Sequence, residues 1–229
     1  MTDFLKRTRG KLIVSCQALR DEPLYSSYIM SRMAYAAMLG GAAGIRANSI
    51  KDIKLIKETV DLPIIGIIKK NYPGSDVFIT PTIDEVNELV EVGVDVIAID
   101  ATNRPRPDDR TITDVFAAIR KKYPNQLFMA DCAVYSDGLH AKNIGFDIIG
   151  TTLSGYTSET EDISLPNIDL LTKLGDTLDL PIIAEGGIWD PDVLANVMNI
   201  PGVHAAVIGT AITRPMEITK RFVAAIDDK

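Results

Sequence analysis

The chain has 229 residues, with 24 Lys and Arg set against 31 Asp and Glu, a net charge of −7. Apolar residues at 46% and charged residues at 24% describe a folded chain, since disorder requires fewer apolar residues and more charge per residue. An acidic balance without a long basic run excludes a broad nucleic-acid or anionic-membrane surface, so any anionic ligand must be met by a local pocket.

The chain starts with scattered basic residues, Lys6, Arg7, Arg9 and Lys11, before Leu12–Ile13–Val14. That apolar run is too short for a signal-peptide core. No stretch approaches the roughly 18–20 continuous apolar residues of a membrane span. The expectation is a soluble cytoplasmic protein that binds neither membrane nor nucleic acid. Cys16 and Cys132 give no disulfide framework, and His140 and His204 share no metal-ligand spacing with them or with each other. Neither a metal nor a cofactor is expected.

Eight short apolar runs alternate with longer amphipathic ones. The predicted strands are Lys11–Gln17, Ala43–Ala47, Pro63–Lys69, Val94–Asp100, Leu127–Asp131, Asp147–Thr152, Pro181–Gly186 and His204–Gly209. They are β-branched and nearly continuous in hydrophobicity, as parallel strands covered on both faces must be. Tyr28, Ile29, Met33, Ala36, Ala37 and Leu39 form a helical stripe after the first strand, and Val115, Phe116 and Ile119 form another after the fourth.

Helix boundaries carry their own signals. Thr82–Ile83–Asp84–Glu85 reads as a capping box, and Asp190–Pro191–Asp192 as an N-cap, a first-turn proline and an acid facing the helix dipole. Gly93, Gly145 and Gly202 each stand where a helix end calls for a left-handed residue. Asp61–Leu62–Pro63–Ile64–Ile65 recurs as Asp179–Leu180–Pro181–Ile182–Ile183, and Gly93–Val94 as Gly202–Val203. Half-barrel duplication and coincidence both account for these short echoes.

Eight βα units predict an α/β fold, a single (β/α)8 TIM barrel domain over residues 1–229. A doubly wound dinucleotide fold would want Gly-x-Gly-x-x-Gly after the first strand, where Ser15–Cys16–Gln17–Ala18–Leu19 has no glycine.

Reacting groups in such barrels lie at the C-terminal strand ends. Here those ends are Gln17, Arg46, Lys69, Asp100, Asp131, Thr151 with Thr152, Glu185 and Thr210. Lys and Glu are seldom buried without a partner, yet Lys69 closes Ile64–Ile65–Gly66–Ile67–Ile68 and Glu185 closes Ile182–Ile183–Ala184. The period of two sends Lys69 into the barrel with Ile65 and Ile67, and Lys70 away from it. Solvated loop lysines and a structural ion pair for Glu185 are the alternative readings.

The loops after strands seven and eight commonly bind phosphate in this architecture. They read Glu185–Gly186–Gly187–Ile188 and Ile208–Gly209–Thr210–Ala211. Glycine lets backbone N–H groups approach an anion closely, and Arg214 in Thr213–Arg214–Pro215 adds a charged contact. Turn formation alone would also explain the glycines. Cys16 and Cys132, with no His beside them, read as small buried hydrophobes. Trp189 reads as packing beside the seventh loop. Asp108–Asp109 with Arg104, Arg106 and Arg110 reads as a solvated loop, or else as a lid over the fourth strand.

Several segments together carry a resemblance. They are Ile13–Val14–Ser15–Cys16–Gln17–Ala18–Leu19, Gly44–Ile45–Arg46–Ala47–Asn48, Gly66–Ile67–Ile68–Lys69 and Met129–Ala130–Asp131. Further along come Ile149–Gly150–Thr151–Thr152–Leu153–Ser154–Gly155–Tyr156–Thr157, Ala184–Glu185–Gly186 and Ala211–Ile212–Thr213–Arg214–Pro215. In this order they resemble the bacterial N-acetylmannosamine-6-phosphate 2-epimerases.

That resemblance implies a cofactor-independent isomerase of sialic-acid and amino-sugar catabolism. It would interconvert N-acetylmannosamine 6-phosphate and N-acetylglucosamine 6-phosphate by removing and returning the C2 proton. It implies Lys69 as catalytic base and Glu185 as its acid/base partner. Gln17, Arg46, Asp131 and Arg214 match substrate-binding positions, with Thr152 beside them, and Gly186, Gly187, Gly209 and Thr210 fall to the phosphate. A homodimer is also implied. Two departures stand out: Lys70–Asn71–Tyr72 replaces Arg-Asp-Tyr, and Gly187 occupies a position that varies.

The chemistry constrains these roles. A base that removes a proton α to a masked aldehyde must be neutral, whereas an ordinary lysine, pKa about 10.4, is protonated at pH 7. Burial and a nearby Arg46 would lower that value. Glu185 would donate to an oxygen or to C2 from the other face, and Arg46 would meet charge on oxygen. Among rivals, a metal-dependent pentose-phosphate epimerase wants His at strand ends, and an amidotransferase-type or indole-forming barrel draws no support from the lysine–glutamate pair. A non-catalytic sugar-phosphate sensor, or another phosphosugar isomerase, would keep the same cup.

Overall fold

The computed structural model describes residues 1–107 and 109–227. Its strands are β1 (Lys11–Cys16), β2 (Gly44–Asn48), β3 (Ile64–Ile67), β4 (Val96–Asp100), β5 (Leu127–Asp131), β6 (Ile148–Gly150), β7 (Ile182–Glu185) and β8 (Val203–Ile208). All pair in parallel in chain order, and β8 pairs back onto β1 to close the barrel. The (β/α)8 expectation holds. The helices are α1 (Asp3–Thr8), α2 (Ser27–Leu39), α3 (Ile50–Thr59), α4 (Ile83–Val92), α5 (Ile112–Lys122), α6 (Tyr135–Ile144), α7 (Ile168–Thr177), α8 (Pro191–Met198), α9 (Thr210–Thr213) and α10 (Pro215–Asp227). No described helix is long and apolar enough to cross a membrane.

Strand alternation sorts the side chains into two cores. Ile13, Ile65, Ile67, Val96, Met129 and Ile183 belong to the cluster that fills the barrel. Their neighbours Val14, Ile45, Ile64, Ile97, Ala130 and Ile182 belong to the layer beneath the helices. Helix α5 contributes Val115, Phe116 and Ile119 to that outer layer, as its stripe predicts. Phe116 stacks on Phe146 with centroids 3.8 Å apart and meets Phe128 edge-on at 5.5 Å. Burying each such side chain contributes about 1.5–3 kcal/mol.

Helix α2 follows its predicted stripe in part: Ile29, Met33 and Ala37 pack against the outer core, but the rest of the stripe does not. Met30, Ser31 and Ala34 face inward, whereas Tyr28 and Leu39 are 67% and 69% exposed. Tyr28, Ala36 and Leu39 do share a face, but it is the outer one. The small residues of the opposite face let α2 pack closely on α3 and β1.

The caps mostly follow the sequence. Thr82 and Glu85 form the capping box, and Gly93 and Gly145 are left-handed C-caps. Asp190 stands at the N-cap of α8, but its carboxylate makes no cap bond and pairs with Arg221 at 3.3 Å. Gly202 caps nothing, because α8 ends on Asn199. Its φ of +82° serves the following turn, where a Cβ would approach Gly175 Cα to 2.8 Å. The strand ladders stop short of several predicted ends: β3 finishes at Ile67, since the chain beyond folds back on itself.

Two helices have no counterpart in the predicted elements. Helix α1 closes the N-terminal end of the barrel, with Phe4 buried in the interior cluster and Thr8 Oγ1 3.3 Å from His204 Nε2. Helix α9 follows β8, and Thr213 Oγ1 ties it to β1 by donating to the Ser15 carbonyl at 2.7 Å. The segment after β4 is a solvated loop only in part: Asp109 and Arg110 are exposed, but the arginines nearer β4 are tied down. Arg106 is buried and donates to the carbonyls of Asp100 and Pro81, while Arg104 pairs with Asp100 at 2.5 Å. Asp108 lies outside the described residues.

Candidate active site

The C-terminal ends of β1, β3, β6, β7 and β8 surround a cavity of about 280 Å³. Lys69, Glu185, Gln17, Thr152, Arg214, Gly186, Gly187, Gly209 and Thr210 all line it. Strand parity accounts for the convergence: Lys69 follows Ile65 and Ile67 into the barrel, and Glu185 follows Ile183.

Arg46 and Asp131 lie one layer deeper. They do not line the cavity but form a buried fork, Arg46 Nη2 to Asp131 Oδ2 at 2.6 Å and Nη1 to Oδ1 at 3.1 Å. Arg46 Nη1 also donates to Glu185 Oε2 at 2.8 Å. Thr152 Oγ1 sits between the carboxylates, 2.7 Å from Asp131 Oδ1 and 3.1 Å from Glu185 Oε2, so its one proton serves either of them. Arg46 thus reaches the cavity through Glu185 and Thr152. It is only 1% exposed. Burial opposes its charge, but the Asp131 and Glu185 carboxylates outweigh burial and hold its pKa above the ordinary value.

Burial and this fork together shift the two cavity-facing groups. Burial pushes the Lys69 pKa down, and Arg46 pushes it further, against the opposing pull of Glu185 and Asp131. Burial raises the Glu185 pKa, and Asp131 adds to the rise while Arg46 opposes it. One group is biased toward a neutral amine, the other toward a neutral acid. The Lys69 backbone is fixed as well, its N–H donating to Asn48 Oδ1 at 2.8 Å.

The residues expected to meet a phosphate, Gly186, Gly187, Gly209 and Thr210, line the same cavity. Gly186 and Gly187 have φ of +113° and +69°, conformations in which glycine is at ease. Gly187 is further constrained by packing, since a Cβ there would come within 2.2 Å of Leu165 Cβ. Gly209 is the N-cap of α9 and Thr210 its first residue. Arg214 forms an ion pair with Glu22, whose other oxygen accepts from Leu19 N at 2.9 Å. Gln17 Nε2 donates to Ser15 Oγ at 2.8 Å, and its buried Oε1 has no hydrogen-bond partner.

Other residues line the cavity without having been assigned to it from the sequence, among them Glu22, Phe78, Ile79, Tyr156 and Thr213. For Phe78 and Ile79 a signal existed. Tyr72–Pro73–Gly74–Ser75 is a turn sequence between two apolar runs, and the chain does fold back there. Glu22 carried no local pattern, whereas Tyr156 and Thr213 lie in segments that carry the family resemblance. Lys70, by contrast, faces away and pairs with Glu85 at 3.0 Å. Cys16 is inert, burial pushing its thiol up to about 12. Neither histidine is near the mouth: His204 meets Thr8, and His140 meets Thr113 Oγ1 at 2.8 Å.

Known proteins resemble this chain in sequence and in fold. Residues 30–228 match the family model described as putative N-acetylmannosamine-6-phosphate epimerase. A putative N-acetylmannosamine-6-phosphate 2-epimerase of Enterobacter sp. (strain 638) is 52% identical, over 99% of this chain and 97% of its own. One of the same description from Listeria monocytogenes is 51% identical, over 95% of this chain and 92% of its own. Among solved structures, the N-acetylmannosamine-6-phosphate 2-epimerase from Clostridium perfringens superposes with a TM-score of 0.93 at 47% identity, covering 98% of this chain and 96% of that one. A thiamine phosphate pyrophosphorylase from Pyrococcus furiosus, at 18% identity and a TM-score of 0.60, shares the fold alone. By sequence and by structure, the chain belongs to the N-acetylmannosamine-6-phosphate epimerase family.

Proposed function

We propose that this protein is an N-acylglucosamine-6-phosphate 2-epimerase, an isomerase that interconverts N-acetylmannosamine 6-phosphate and N-acetylglucosamine 6-phosphate in the cytoplasm. One observation carries the reading. A lysine with a lowered pKa and a glutamate with a raised one line the same cavity as two glycine loops and Arg214.

The phosphate is held by backbone N–H groups at Gly186, Gly187, Gly209 and Thr210 and by Arg214, which turns away from Glu22 or shares its donors with it. That remote binding energy fixes the sugar with C2 beside Lys69. With the aldehyde unmasked, neutral Lys69 takes the C2 proton and negative charge moves onto the C1 oxygen. The Glu185 proton and the Thr152 hydroxyl meet that charge, and the Arg46–Asp131 fork holds both in place. Glu185 then gives its proton to the other face of C2, which yields the epimer, and exchange with solvent after release returns Lys69 to the neutral amine and Glu185 to the acid. Gln17 Oε1 accepts from a sugar hydroxyl or from the amide N–H.

A homodimer is part of this proposal. Phe222 and Ile226 on α10 are 73% and 67% exposed, an apolar surface that a second copy would bury. Light scattering that returned the mass of one chain would count against it.

The decisive experiment is NMR in heavy water with N-acetylglucosamine 6-phosphate and no added metal. Deuterium should appear at C2 together with the manno epimer. Bound substrate that never exchanges, even at high protein concentration, would instead indicate a sugar-phosphate sensor.

A further inference from the structure

The cavity wall beside Lys69 is a hairpin. Residues 68–72 run against residues 75–80, with Lys70 N donating to Phe78 O at 2.9 Å and Thr80 N to Ile68 O at 2.8 Å. Lys69 and Ile79 form the antiparallel bridge between the two segments. Through that bridge the lysine is built into the same wall as Phe78 and Ile79.

The hairpin is anchored on several sides. Fully buried Glu85 accepts from Lys70 Nζ at 3.0 Å, Tyr72 OH at 2.8 Å and Thr82 Oγ1 at 2.6 Å. Ile79 O accepts from Asp100 N at 3.1 Å, and Ser75 Oγ donates to Pro105 O at 2.8 Å. Thr80 holds a φ of +47°, a left-handed conformation that a β-branched residue adopts only when its surroundings impose it. These ties make the hairpin a fixed wall rather than a lid.

Its cavity face is apolar. Phe78 and Ile79 line the cavity with Leu153 from the segment after β6. Ile79 and Leu153 belong to the barrel-interior cluster, and half-buried Phe78 packs against it. Strand β3 stands opposite β7 in the ring, so a sugar whose phosphate rests on the Gly186–Gly187 loop extends across the mouth toward this wall. Lys69 acts at C2, and the N-acyl group is bonded to C2. The acyl chain therefore lies within a few bonds of the atom that the lysine touches. The apolar surface joined to Lys69 is Ile79 and Phe78.

We propose that Phe78, backed by Ile79 and Leu153, forms the N-acyl subsite and sets the length of acyl chain the enzyme accepts. The assignment rests on the epimerase reading above and adds to it the residue that selects the substituent on nitrogen. A rigid apolar wall discriminates by size, and one methylene in such a pocket is worth about 10–200-fold.

The test compares C2 deuterium exchange on the N-acetyl, N-propanoyl and N-butanoyl forms of glucosamine 6-phosphate. The unmodified protein should prefer the acetyl form. Phe78→Ala should raise the propanoyl-to-acetyl ratio of kcat/KM about tenfold. Phe78→Leu, a milder change kept in case the alanine variant fails to fold, should move the ratio the same way by less. Competitive inhibition by inorganic phosphate should match in all three proteins, because the phosphate end is untouched. An unchanged ratio, or equal loss on all three sugars, overturns the acyl assignment. Absence of exchange by the unmodified protein on the acetyl sugar overturns the epimerase reading itself, and is seen before any variant is made.

Discussion

Lys69, just beyond the end of β3, and Glu185, at the end of β7, line one cavity from strands four places apart in a ring of eight. Their pKa values are displaced toward each other, the lysine down and the glutamate up, with burial the largest cause for both. Groups displaced in this way suit a base and an acid working near neutral pH.

Lys69→Ala should therefore slow epimerisation by about 10²–10⁴-fold, while inorganic phosphate still binds. Glu185→Gln should lower kcat with little change in KM, since its proton matters only once charge has built up on oxygen. A Lys69→Ala protein with full turnover would remove the base assignment.

Arg46→Gln should be costly in two ways. Removing one partner of a buried ion pair destabilises by about 3–5 kcal/mol, which urea unfolding would register. It also takes away the cation that lowers the Lys69 pKa and leaves the carboxylates that raise it. The acidic limb of kcat/KM against pH should then move to higher pH. A limb that stayed in place would mean Arg46 does not tune the lysine.

Lys69→Met should raise thermal stability at neutral pH. A lysine whose folded pKa lies below its ordinary value of 10.5 burdens the folded state fully at pH below that folded pKa. The burden lifts as pH climbs from the folded pKa to 10.5. The gain should be about 0.5–2 kcal/mol, and should shrink as the scans are repeated toward pH 10.5. Calorimetry at several pH values would detect a gain of the wrong sign.

Gly187→Ala and Gly186→Ala should separate packing from ligand contact. Both positions have positive φ, but only at Gly187 would the new methyl collide, with Leu165. Gly187→Ala should lower Tm more than Gly186→Ala, while both weaken inhibition by inorganic phosphate. Phosphate inhibition unaffected in both would dismiss this loop as the cup.

Glu85→Gln should loosen the wall beside Lys69. Burial alone would raise the Glu85 pKa, but hydrogen bonds from Thr82, Tyr72 and Lys70 outweigh burial and lower it. Its contribution is therefore present above the unfolded pKa and lost as pH falls through the folded one. The variant should be destabilised by about 1–3 kcal/mol at neutral pH and less selective for acyl length. Lys70→Arg keeps the charge against Glu85 and should change neither, which also gauges how much the Lys70–Asn71 departure matters.

What the sequence revealed followed from periodicity. Alternation in β3 and β7 placed Lys69 and Glu185 inward because the strand on either side is apolar and its parity leaves no choice. The glycine loops were legible because their place in the barrel order is fixed. Depth was not legible: nothing in Gly44–Ile45–Arg46 or Met129–Ala130–Asp131 says that their charges meet each other beneath the cavity. The outward turn of Tyr28 and Leu39 was hidden too, since an apolar stripe has the same spacing on either face of a helix. Phe78 and Ile79 owe their place to a fold-back held by Glu85 and Asp100, contacts distant in sequence.

Helix α1 seals the far end of the barrel with Phe4, and apolar side chains fill the interior above it. Among the described residues that floor is packed and apolar, so under the proposed function the Lys69 amine trades hydrogens with solvent by way of the mouth, the opening that the sugar would cover. The dwell time of the ligand then acts as a clock for isotope washout: a sugar that lingers keeps its label in the vessel, and one that leaves quickly lets the label go.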